Sequence, residues 1–350
     1  MIEQLKHREI LVPDCPTGNV PVVMTSSASY LPYTCVALHS LLRHANPARF
    51  YDILLLHQQD YPPAGLDMLS RIVAAGGNCR VRLVDVRGQL PEGAVAAGHV
   101  SVETYARLLL PRLLPAYDHV VYLDGDLVVC RDVAELLDTP CPPDAMLSGV
   151  PDLDVIGQYH EPKRSMRYYL DKKLGLPAPD RYLQAGVLVF HLNAIRAALG
   201  ENALLRAGTG CRLRYFDQDV LNCLCNEHVH LLDLRWNVVS DCDGYRVSHI
   251  ISHAPAPLYV AYCRSRQQPW IVHYSGRQKP WNDPRADMGD YFARAVADAD
   301  LGELLAPPNV PVPSAPLYKR VAAWLLPPQS QRRELCKTLY FHYQYRSVDR

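Results

Sequence analysis

Short apolar segments alternate with amphipathic segments through the first 126 residues of the chain. Four segments lack a polar face and predict strands buried on both sides: residues 21–27, 51–59, 80–86 and 119–126. Three segments repeat apolar residues at helical spacing and predict helices: residues 31–46, 65–78 and 102–115, the last bent or stopped near Pro111. Buried strands that alternate with helices predict an α/β fold with a Rossmann-like, mainly parallel sheet flanked by helices.

The second half of the chain is less regular. Four further strands are predicted, over residues 146–152, 184–193, 229–239 and 269–276. A helix is predicted over residues 216–227, with Asp217 and Asp219 in its first turn, where the helix dipole favours acids. Seven of the 29 prolines lie between Gly302 and Pro328 and predict a linker. We therefore expect a main α/β domain over residues 1–285, followed over residues 286–350 by the linker and a basic, aromatic, helical tail.

Composition and charge narrow the class of protein. Of the 350 residues, 49% are hydrophobic and 21% are charged, which is typical of a globular chain with a large core and excludes wholesale disorder. The 36 basic residues balance the 36 acidic ones, which argues against a protein dedicated to binding nucleic acid. The charge is nevertheless uneven, because residues 316–350 contain seven basic and two acidic side chains, a net charge of +5.

The cysteines and the N-terminal residues bear on location. The eleven cysteines are an odd number without a C-x-x-C pair, which argues against a zinc ribbon and against a disulfide framework. The first residues carry charge where a signal peptide needs an apolar stretch, and no apolar run approaches the roughly 20 residues of a spanning helix. We expect a reduced, cytoplasmic protein that does not cross a membrane.

The strongest local signal ends the strand predicted over residues 119–126, which closes with Asp124-Gly125-Asp126. Parallel sheets bind ligands at the carboxyl ends of their strands, and a turn at Gly125 lets both carboxylates point past this strand end. Paired carboxylates there suit a hard divalent cation, and the cation suits phosphate oxygens. The alternative interpretation is a turn with two solvated acids.

A second signal is the stretch IVHYSGRQKPW at residues 271–281. His273 would add a nitrogen to the two carboxylates, and this mixture of ligands favours manganese over calcium or magnesium. The backbone N–H of Gly276 and the ammonium group of Lys279 would hold a diphosphate. A lone strand histidine is more often structural, but the combination with the aspartate pair fits a metal-bound nucleoside diphosphate.

Five motifs occur in order along the chain. They are Tyr105-Ala106-Arg107, Asp124-Gly125-Asp126, Ala185-Gly186-Val187, Phe216-Asp217-Gln218-Asp219 and the block from His273 to Trp281. Together, between Val20 and Trp281, they resemble glycosyltransferase family 8, which includes bacterial lipopolysaccharide galactosyl- and glucosyltransferases and glycogenin. The resemblance implies a catalytic domain with the GT-A fold, a UDP-sugar donor, manganese as cofactor and retention of anomeric configuration.

The resemblance also implies roles for individual residues. Its metal ligands would be Asp124, Asp126 and His273, which would bind manganese or, as the alternative, magnesium. Its donor-binding residues would be His99, Arg107, Gly125, Asp152, Gln184, Ala185, Gly276 and Lys279. Among these, Gly276 and Lys279 would hold the diphosphate, while Arg107 and Asp152 would reach the sugar. Asp217 would hydrogen-bond the sugar hydroxyls, and Gln218 would lie on the ring face opposite the leaving group.

The sequence departs from the family pattern in two places. The first strand of the family usually ends in an acidic pair, with Asn before Tyr, that holds uracil and ribose, whereas residues 25–30 read Thr-Ser-Ser-Ala-Ser-Tyr. Tyr30 would still stack on the base, and hydroxyls such as those of Thr25, Ser27 and Ser29 would still hydrogen-bond the nucleotide. Gln184 replaces the usual Asn before Ala-Gly, and its longer amide is expected to change the sugar preference.

Two mechanisms are open for a retaining transfer. A double displacement requires a carboxylate nucleophile next to the anomeric carbon, but Gln218, which matches that place, is a neutral amide and a poor nucleophile. We therefore favour front-face transfer, in which the leaving phosphate accepts the proton of the acceptor and Gln218 stabilises an oxocarbenium-like centre. Asp217 as the nucleophile is the alternative.

The tail suggests where the acceptor is found. Basic residues lie beside an aromatic and aliphatic stripe at helical spacing, which is typical of an interfacial helix on anionic lipid. This favours a saccharide or lipid-linked glycan acceptor at the inner face of the cell membrane. A helix packed on the catalytic domain or an oligomer contact is the alternative.

Two rival functions have some support in the sequence. The segment from Leu123 to Val129 also resembles the nucleophile motif of haloacid-dehalogenase-type phosphatases. That motif normally ends the first strand of its domain, whereas much strand–helix alternation precedes it here. The missing nucleotide acids leave a non-catalytic sugar-binding protein as the second rival, which turnover of a UDP-sugar would exclude.

Overall fold

The computed structural model describes residues 2–5, 11–13, 18–90, 102–162, 165–209, 213–242 and 244–302, and the single residues 305, 325, 332 and 336. His99 lies outside the described residues, as do the positions after Gly302 other than the four single residues. What the sequence predicts for them therefore stays a prediction.

The described part of the chain contains strands and helices in near alternation. The strands are β1 (Ile2–Leu5), β2 (Asn19–Thr25), β3 (Phe50–His57), β4 (Cys79–Asp85), β5 (His119–Leu123), β6 (Leu127–Val129), β7 (Leu147–Pro151), β8 (Leu183–His191), β9 (Val229–Leu231), β10 (Val238–Val239) and β11 (Ile271–His273). The α-helices are α1 (Leu31–Arg43), α2 (Pro63–Ala75), α3 (Leu110–Leu113), α4 (Ala134–Asp138), α5 (Leu153–His160), α6 (Ser165–Tyr168), α7 (Leu192–Leu199), α8 (Ala203–Ala207), α9 (Phe216–Cys225), α10 (Arg246–His249), α11 (Ala256–Ser265) and α12 (Gly289–Asp298). Other helix types are the 3₁₀ segments Val102–Leu109, Pro179–Arg181, Asn226–His228, Leu234–Asn237 and Ile251–His253, and the π-helix Tyr169–Leu174.

Eight strands form the main sheet, in the order β1-β4-β3-β2-β5-β8-β7-β9. The first five strands in this order, β1-β4-β3-β2-β5, are parallel to one another. Strand β8 runs antiparallel to both β5 and β7, and β9 pairs in parallel with β7. A small sheet of order β10-β11-β6 places His273 of β11 opposite Leu127 of β6. The predicted α/β fold, with a mainly parallel sheet flanked by helices, is confirmed.

Side chains from both faces of the main sheet are buried, as the unbroken apolar strands predict. In β2, Val22 and Met24 belong to the core shared with α1 and α2, whereas Val23 faces the core shared with α3, α7 and α9. Burial of one such side chain stabilises the folded state by roughly 1.5–3 kcal/mol. The two cores therefore hold the carboxyl ends of the central strands in fixed positions.

Helix α12 adds to the packed body beyond the predicted domain boundary. Its Phe292 and Ala295, and Leu301 after it, are buried in the same core as α1 and β2. The body that contains the sheet thus extends past residue 285 to Leu301, while the division into two domains stays a prediction.

Two sequence predictions of individual elements need correction, and one short strand next to the aspartate pair was missed. The strand predicted over residues 229–239 is wrong, because a 3₁₀ turn over Leu234–Asn237 separates β9 from β10, and Asp233 accepts the N–H of Arg235 at 2.9 Å to begin that turn. The helix predicted over residues 102–115 is mostly 3₁₀, and Pro111 lies in the first turn of α3, where its missing N–H costs nothing. Strand β6 was not predicted, since its three residues are too few to show a period.

Two further findings concern the membrane and the cysteines. Within the described residues, no helix combines the length and apolar character that crossing a bilayer requires. The nine cysteines of the described part are free thiols, and Cys35, Cys79 and Cys225 are buried.

Candidate metal centre and donor site

The Asp124-Gly125-Asp126 segment lies where the chain crosses from the main sheet to the small one. Strand β5 ends at Leu123 and β6 begins at Leu127. The N–H of Asp124 donates to the carbonyl of Gly186 in β8 at 2.9 Å, and the carbonyl of Asp126 accepts the N–H of Tyr274 at 2.9 Å. Both sheets therefore fix the backbone of this segment.

Asp124, Asp126 and His273 form the cluster that the sequence predicts. One ligand atom from each lies within 4.8 Å of the others. The Nε2 atom of His273 is 3.2 Å from Oδ1 of Asp126 and 3.8 Å from Oδ2 of Asp124. Two carboxylate oxygens and one imidazole nitrogen fit a divalent ion such as manganese.

A positively charged side chain bonds to the second oxygen of each of these two carboxylates. Arg107 donates through Nη2 to Oδ1 of Asp124 at 2.8 Å, and the ammonium group of Lys279 donates to Oδ2 of Asp126. Burial alone would raise the pKa of Asp126, but the interactions with Lys279 and then with His273 outweigh burial and hold that pKa below its usual range. Asp126 is therefore ionised, and each aspartate turns its remaining oxygen towards His273.

Arg107 links the candidate metal-binding cluster, which consists of Asp124, Asp126 and His273, to the start of α9. It lies 2% exposed, forms an ion pair with Asp217 in which Nε is 2.9 Å from Oδ2, and donates through Nη1 to the carbonyl of Ala185. Burial lowers the pKa of Arg107, but the carboxylates of Asp124 and Asp217 outweigh it and raise that pKa above the ordinary value. The guanidinium is therefore a permanent charge between the two acids.

Asp217 follows a residue with unusual backbone geometry. Phe216 has φ 50°, in the left-handed region, and this conformation begins α9 and leads directly into Asp217. The carboxyl group of Asp217 is nearly buried, and burial raises its pKa to about 6 even though Arg107 acts in the opposite direction. A perturbed carboxyl group beside a candidate metal site is typical of functional sites.

Gln218 is held at both ends of its amide. Its Oε1 accepts the N–H of Ala185 at 2.9 Å, and its Nε2 donates to Oδ2 of Asp152 at 2.9 Å. The other oxygen of Asp152 accepts the N–H groups of Asp154 and Val155 at 3.0 Å and so caps α5. Burial and then the charge of Asp154 raise the pKa of Asp152 to about 6.

The residues at the end of β2 divide into a buried and an accessible group. Thr25 is 8% exposed, and its Oγ1 lies 2.9 Å from the hydroxyl of Tyr122, which donates to Oδ1 of Asp124 at 3.1 Å. Ser27 and Ser29 lie nearer the surface with their hydroxyl oxygens 3.2 Å apart. Thr25 therefore supports Asp124 through Tyr122, whereas the two serines remain accessible.

An aromatic group borders the predicted metal ligands. Tyr33 stacks on Trp281 with ring centroids 4.1 Å apart, and Tyr30 meets Trp281 edge-on at 5.7 Å. Burial, followed by the charge of Asp126, raises the pKa of Tyr30 above its usual range. The ring predicted to stack on a base therefore lies next to a predicted metal ligand.

The loop after β11 is held by an arginine that sequence analysis did not identify. Gly276 has φ 107°, and a Cβ there would lie 2.9 Å from Nη2 of Arg246. Arg246 donates through Nη1 to the carbonyls of Ser240 and Ser275, at 2.6 and 2.9 Å, and through Nε to Oδ2 of Asp154 at 3.0 Å. It reaches this loop from α10, a contact that no local pattern can reveal.

The amide oxygen of Gln184 is hydrogen-bonded to other groups of the protein. It is 9% exposed, and its Oε1 accepts the N–H of Gly186 at 2.6 Å and Nδ2 of Asn237 at 2.7 Å. Asn237 in turn lies 2.9 Å from Nδ1 of His273. Sequence reasoning missed Asn237, although a lone amide in the apolar stretch of residues 229–239 was a usable signal.

The structure thus brings most predicted site residues together. Around the metal-binding cluster it gathers Thr25, Tyr30, Arg107, Gly125, Asp152, Gln184, Ala185, Asp217, Gln218, Gly276 and Lys279. His99 lies outside the described residues. The roles assigned to these residues stay predictions.

Comparison with known proteins places the chain among glycosyltransferases. The sequence model described as glycosyl transferase family 8 matches residues 21–284. The probable galacturonosyltransferase-like protein 9 of Arabidopsis thaliana is 30% identical over 143 residues, which cover 39% of this chain and 37% of the plant protein. The chain thus spans little more than a third of that relative.

Two solved structures share the fold. The apo structure of the bifunctional glycosyltransferase WbbM is 28% identical with a TM-score of 0.74, and the match covers 85% of this chain and 52% of WbbM. The galactosyltransferase LgtC, solved with donor and acceptor sugar analogues, is 24% identical with a TM-score of 0.61, and the match covers 86% of this chain and 99% of LgtC. The expected GT-A fold is confirmed.

The structure also argues against the phosphatase alternative. The aspartate pair follows the fifth strand of the chain, whereas the phosphatase motif normally ends the first strand of its domain.

Proposed function

Because the chain belongs to glycosyltransferase family 8, we propose that it transfers a hexose, galactose or glucose, from a UDP-sugar to a saccharide or lipid-linked glycan with retention of anomeric configuration. The observation that carries the proposal is the cluster of Asp124, Asp126 and His273 at the end of β5, with a cation on the far oxygen of each carboxylate. This arrangement leaves two charged oxygens and one nitrogen for a divalent ion.

Manganese, with magnesium as the alternative, is the proposed cofactor. When bound, the ion supplies positive charge that stabilises a departing diphosphate. Lys279 adds a second positive charge from the loop after β11, where it also donates to the carbonyl of Tyr274 at 2.6 Å. The backbone N–H of Gly276 lies in the same loop, so that Lys279 and Gly276 both bind the diphosphate.

The donor sugar would lie against the acids beside α9. Asp217 and Asp152 each keep lone pairs beyond those used by Arg107 and Gln218, and these accept hydrogen bonds from sugar hydroxyls. Arg107 acts mainly on the acids, since its N–H groups reach Asp124, Asp217 and the carbonyl of Ala185.

Front-face transfer is the mechanism that these contacts favour. The amide of Gln218 is neutral and is hydrogen-bonded at both ends, so it stabilises positive charge at the anomeric carbon but does not attack it. Asp217, the alternative nucleophile, is paired with Arg107 at 2.9 Å, which weakens its nucleophilicity. The departing phosphate accepts the proton of the acceptor hydroxyl as the new glycosidic bond forms on the same face.

The cellular location and the biosynthetic process are also part of the proposal. We place the enzyme in the cytoplasm, peripheral on the inner face of the cell membrane, in the synthesis of lipopolysaccharide or another surface glycan. The support is the basic, aromatic composition of residues 316–350 and the resemblance to bacterial enzymes of this kind.

A nucleotide-sugar panel tests the proposal. The protein is incubated with UDP-galactose, UDP-glucose, UDP-galacturonic acid and GDP-mannose, with and without manganese, and release of free nucleotide is measured. Asp126→Ala is expected to abolish manganese-dependent turnover and to stay folded, because the residue lies at a strand end. Asp290→Ala, which removes an exposed acid paired with Arg294 on α12, is the matched control and should behave as wild type. Wild-type protein that turns over no donor, or turnover that Asp126→Ala leaves intact, contradicts the proposal.

A further inference from the structure

A chain of three hydrogen bonds runs from the backbone of β8 to the imidazole of His273. The N–H of Gly186 donates to Oε1 of Gln184 at 2.6 Å, and the same oxygen accepts Nδ2 of Asn237 at 2.7 Å. The Oδ1 atom of Asn237 then lies 2.9 Å from Nδ1 of His273. Asn237 and His273 are 3% and 1% exposed, so water does not compete for these bonds.

The direction of every bond in this chain follows from its first member. A backbone N–H can only donate, so the group of Gln184 that faces Gly186 is the carbonyl oxygen. That oxygen can only accept, so Asn237 must turn its NH₂ group to it and its own oxygen to His273. An amide oxygen also only accepts, and the Nδ1 atom of His273 therefore carries a proton.

The ring of His273 is also confined sterically. A Cβ on Gly186 would lie 2.3 Å from Cε1 of the ring and 2.8 Å from Oδ2 of Asp124, so the space that this glycine leaves is filled by the imidazole. Gly186 therefore both begins the hydrogen-bond chain and makes room for the ring.

We infer that Asn237, oriented by Gln184, is a positioning residue that fixes His273 with Nε2 towards Asp124 and Asp126, as the atom that binds the metal. With Nδ1 protonated, the lone pair of a neutral imidazole is on Nε2, which lies 3.2 Å from Oδ1 of Asp126. Gln184, expected from the sequence to contact the sugar, thus acts through Asn237 and His273. The inference rests on the proposed function, since it concerns the same metal site.

The inference predicts a change in metal selectivity that general destabilisation does not produce. Calcium prefers oxygen ligands, whereas manganese gains from an imidazole nitrogen. A variant that removes the hydrogen bond to Nδ1 of His273 should lose affinity for manganese and keep most of its affinity for calcium. Partners behind metal-binding histidines typically change metal affinity by about 10–100-fold when they are removed.

Binding of manganese and of calcium is measured by titration calorimetry in the presence of UDP, on the full chain. Asn237→Leu, which removes the acceptor at similar volume, is expected to weaken manganese binding about 10–100-fold and calcium binding less than about threefold. Asn237→Asp keeps an acceptor for Nδ1 and should remain within a few-fold of wild type for manganese. Asn226→Leu is the matched control, because Asn226 is another amide at 2% exposure, and it should leave both affinities unchanged.

The outcomes separate the inference from the proposed function. Wild-type protein that binds no manganese overturns both. If wild type binds manganese and Asn237→Leu binds it equally well, or loses manganese and calcium in parallel, the positioning role is wrong and the metal site stands. Should Asn237→Leu melt below the assay temperature, Gln184→Leu replaces it. That variant is expected to weaken manganese binding selectively, by roughly three- to tenfold, and an unchanged affinity would overturn the inference.

Discussion

Gln218 occupies a position in which its chemistry can be tested separately from its packing. Its amide bridges the N–H of Ala185 and the carboxyl group of Asp152, next to the predicted donor site. If the amide stabilises positive charge in the transition state only, Gln218→Ala should lower kcat by roughly 10–1,000-fold, as loss of one electrostatic group does, while the Kd for UDP-sugar is unchanged. Steady-state kinetics and calorimetry measure the two quantities. A glycosylated Gln218 detected by mass spectrometry would instead show that the residue is a nucleophile.

Asp152 gives a prediction about pH. Burial and the charge of Asp154 raise its pKa from 3.8 to about 6 in the folded protein. Between these values Asp152 binds more protons in the folded state than in the unfolded state, so its contribution to the free energy of unfolding falls as pH rises through this interval. One pKa unit corresponds to 1.36 kcal/mol, which makes the expected contribution about 1–3 kcal/mol between pH 4 and 7.

Asp152→Asn isolates this contribution. Asparagine caps a helix as well as aspartate does, so α5 should persist while the titrating group is removed. Urea unfolding of both proteins at several pH values should show wild type losing stability relative to the variant as pH rises from 4 to 7. The similar effect of Asp217 cancels in this difference. Parallel pH profiles would show that Asp152 has an ordinary pKa.

Residue identities alone predicted the metal cluster but not the groups that hold it. Asp124, Asp126 and His273 were found because strand ends converge at one sheet edge and because the motif order resembles a family. Asn237 and Arg246 act through side chains that reach across elements distant in sequence, and such contacts depend on the packing of the whole chain. The inward position of Gln184 could not be predicted for the same reason. The sequence shows an amide before Ala-Gly but does not show in which direction its side chain points.

At the scale of elements, Arg246 joins α10, α5 and the loop that follows β11. It holds the carbonyls of Ser240 and Ser275 and the carboxyl group of Asp154, and it lies 11% exposed. Lysine keeps the charge but lacks the planar fork, so it cannot hold three acceptors at once. Arg246→Lys should therefore raise the KM for the donor about tenfold, with a smaller effect on kcat, because the loop of Gly276 loses its support.

The control for this prediction is Arg266→Lys. Arg266 pairs with both oxygens of Asp287 at 2.8 and 2.9 Å but does not touch the loop of Gly276 in the described structure. Both variants should lower the melting temperature by a few degrees, whereas only Arg246→Lys should change the KM of the donor. Equal KM values for the donor in the two variants would show that Arg246 only stabilises the fold and does not support donor binding.

The elements themselves were predictable to different degrees. Strands β2, β3, β4 and β5 are apolar on both faces, and this pattern identifies buried parallel strands without knowledge of the fold. Strands β6, β9 and β10 have three, three and two residues, too few for any period to appear. Their pairing into sheets is decided by long-range contacts, which is why the break at Leu234–Asn237 was missed.

At the scale of the whole molecule, charge is distributed unevenly between the body and the last 35 residues. The whole chain is neutral, with 36 basic and 36 acidic residues, yet residues 316–350 hold seven basic and two acidic ones. Each lysine or arginine near an anionic membrane contributes about 1 kcal/mol of attraction, which salt screens. The sequence therefore predicts that binding to anionic vesicles depends on the tail and falls as salt is added.

A pair of matched variants of the full chain tests this prediction. Arg332→Gln with Arg333→Gln removes two tail charges, and about 2 kcal/mol should weaken sedimentation with phosphatidylglycerol vesicles roughly 30-fold. Arg285→Gln with Arg294→Gln removes two charges from the body, where the side chains are 91% and 65% exposed, and should leave sedimentation unchanged. Both variants should transfer sugar to a soluble acceptor at the wild-type rate, because none of the four arginines is a predicted site residue. Equal sedimentation of the two variants, or binding insensitive to salt, would show that the tail is not the membrane contact and that its basic residues serve another purpose.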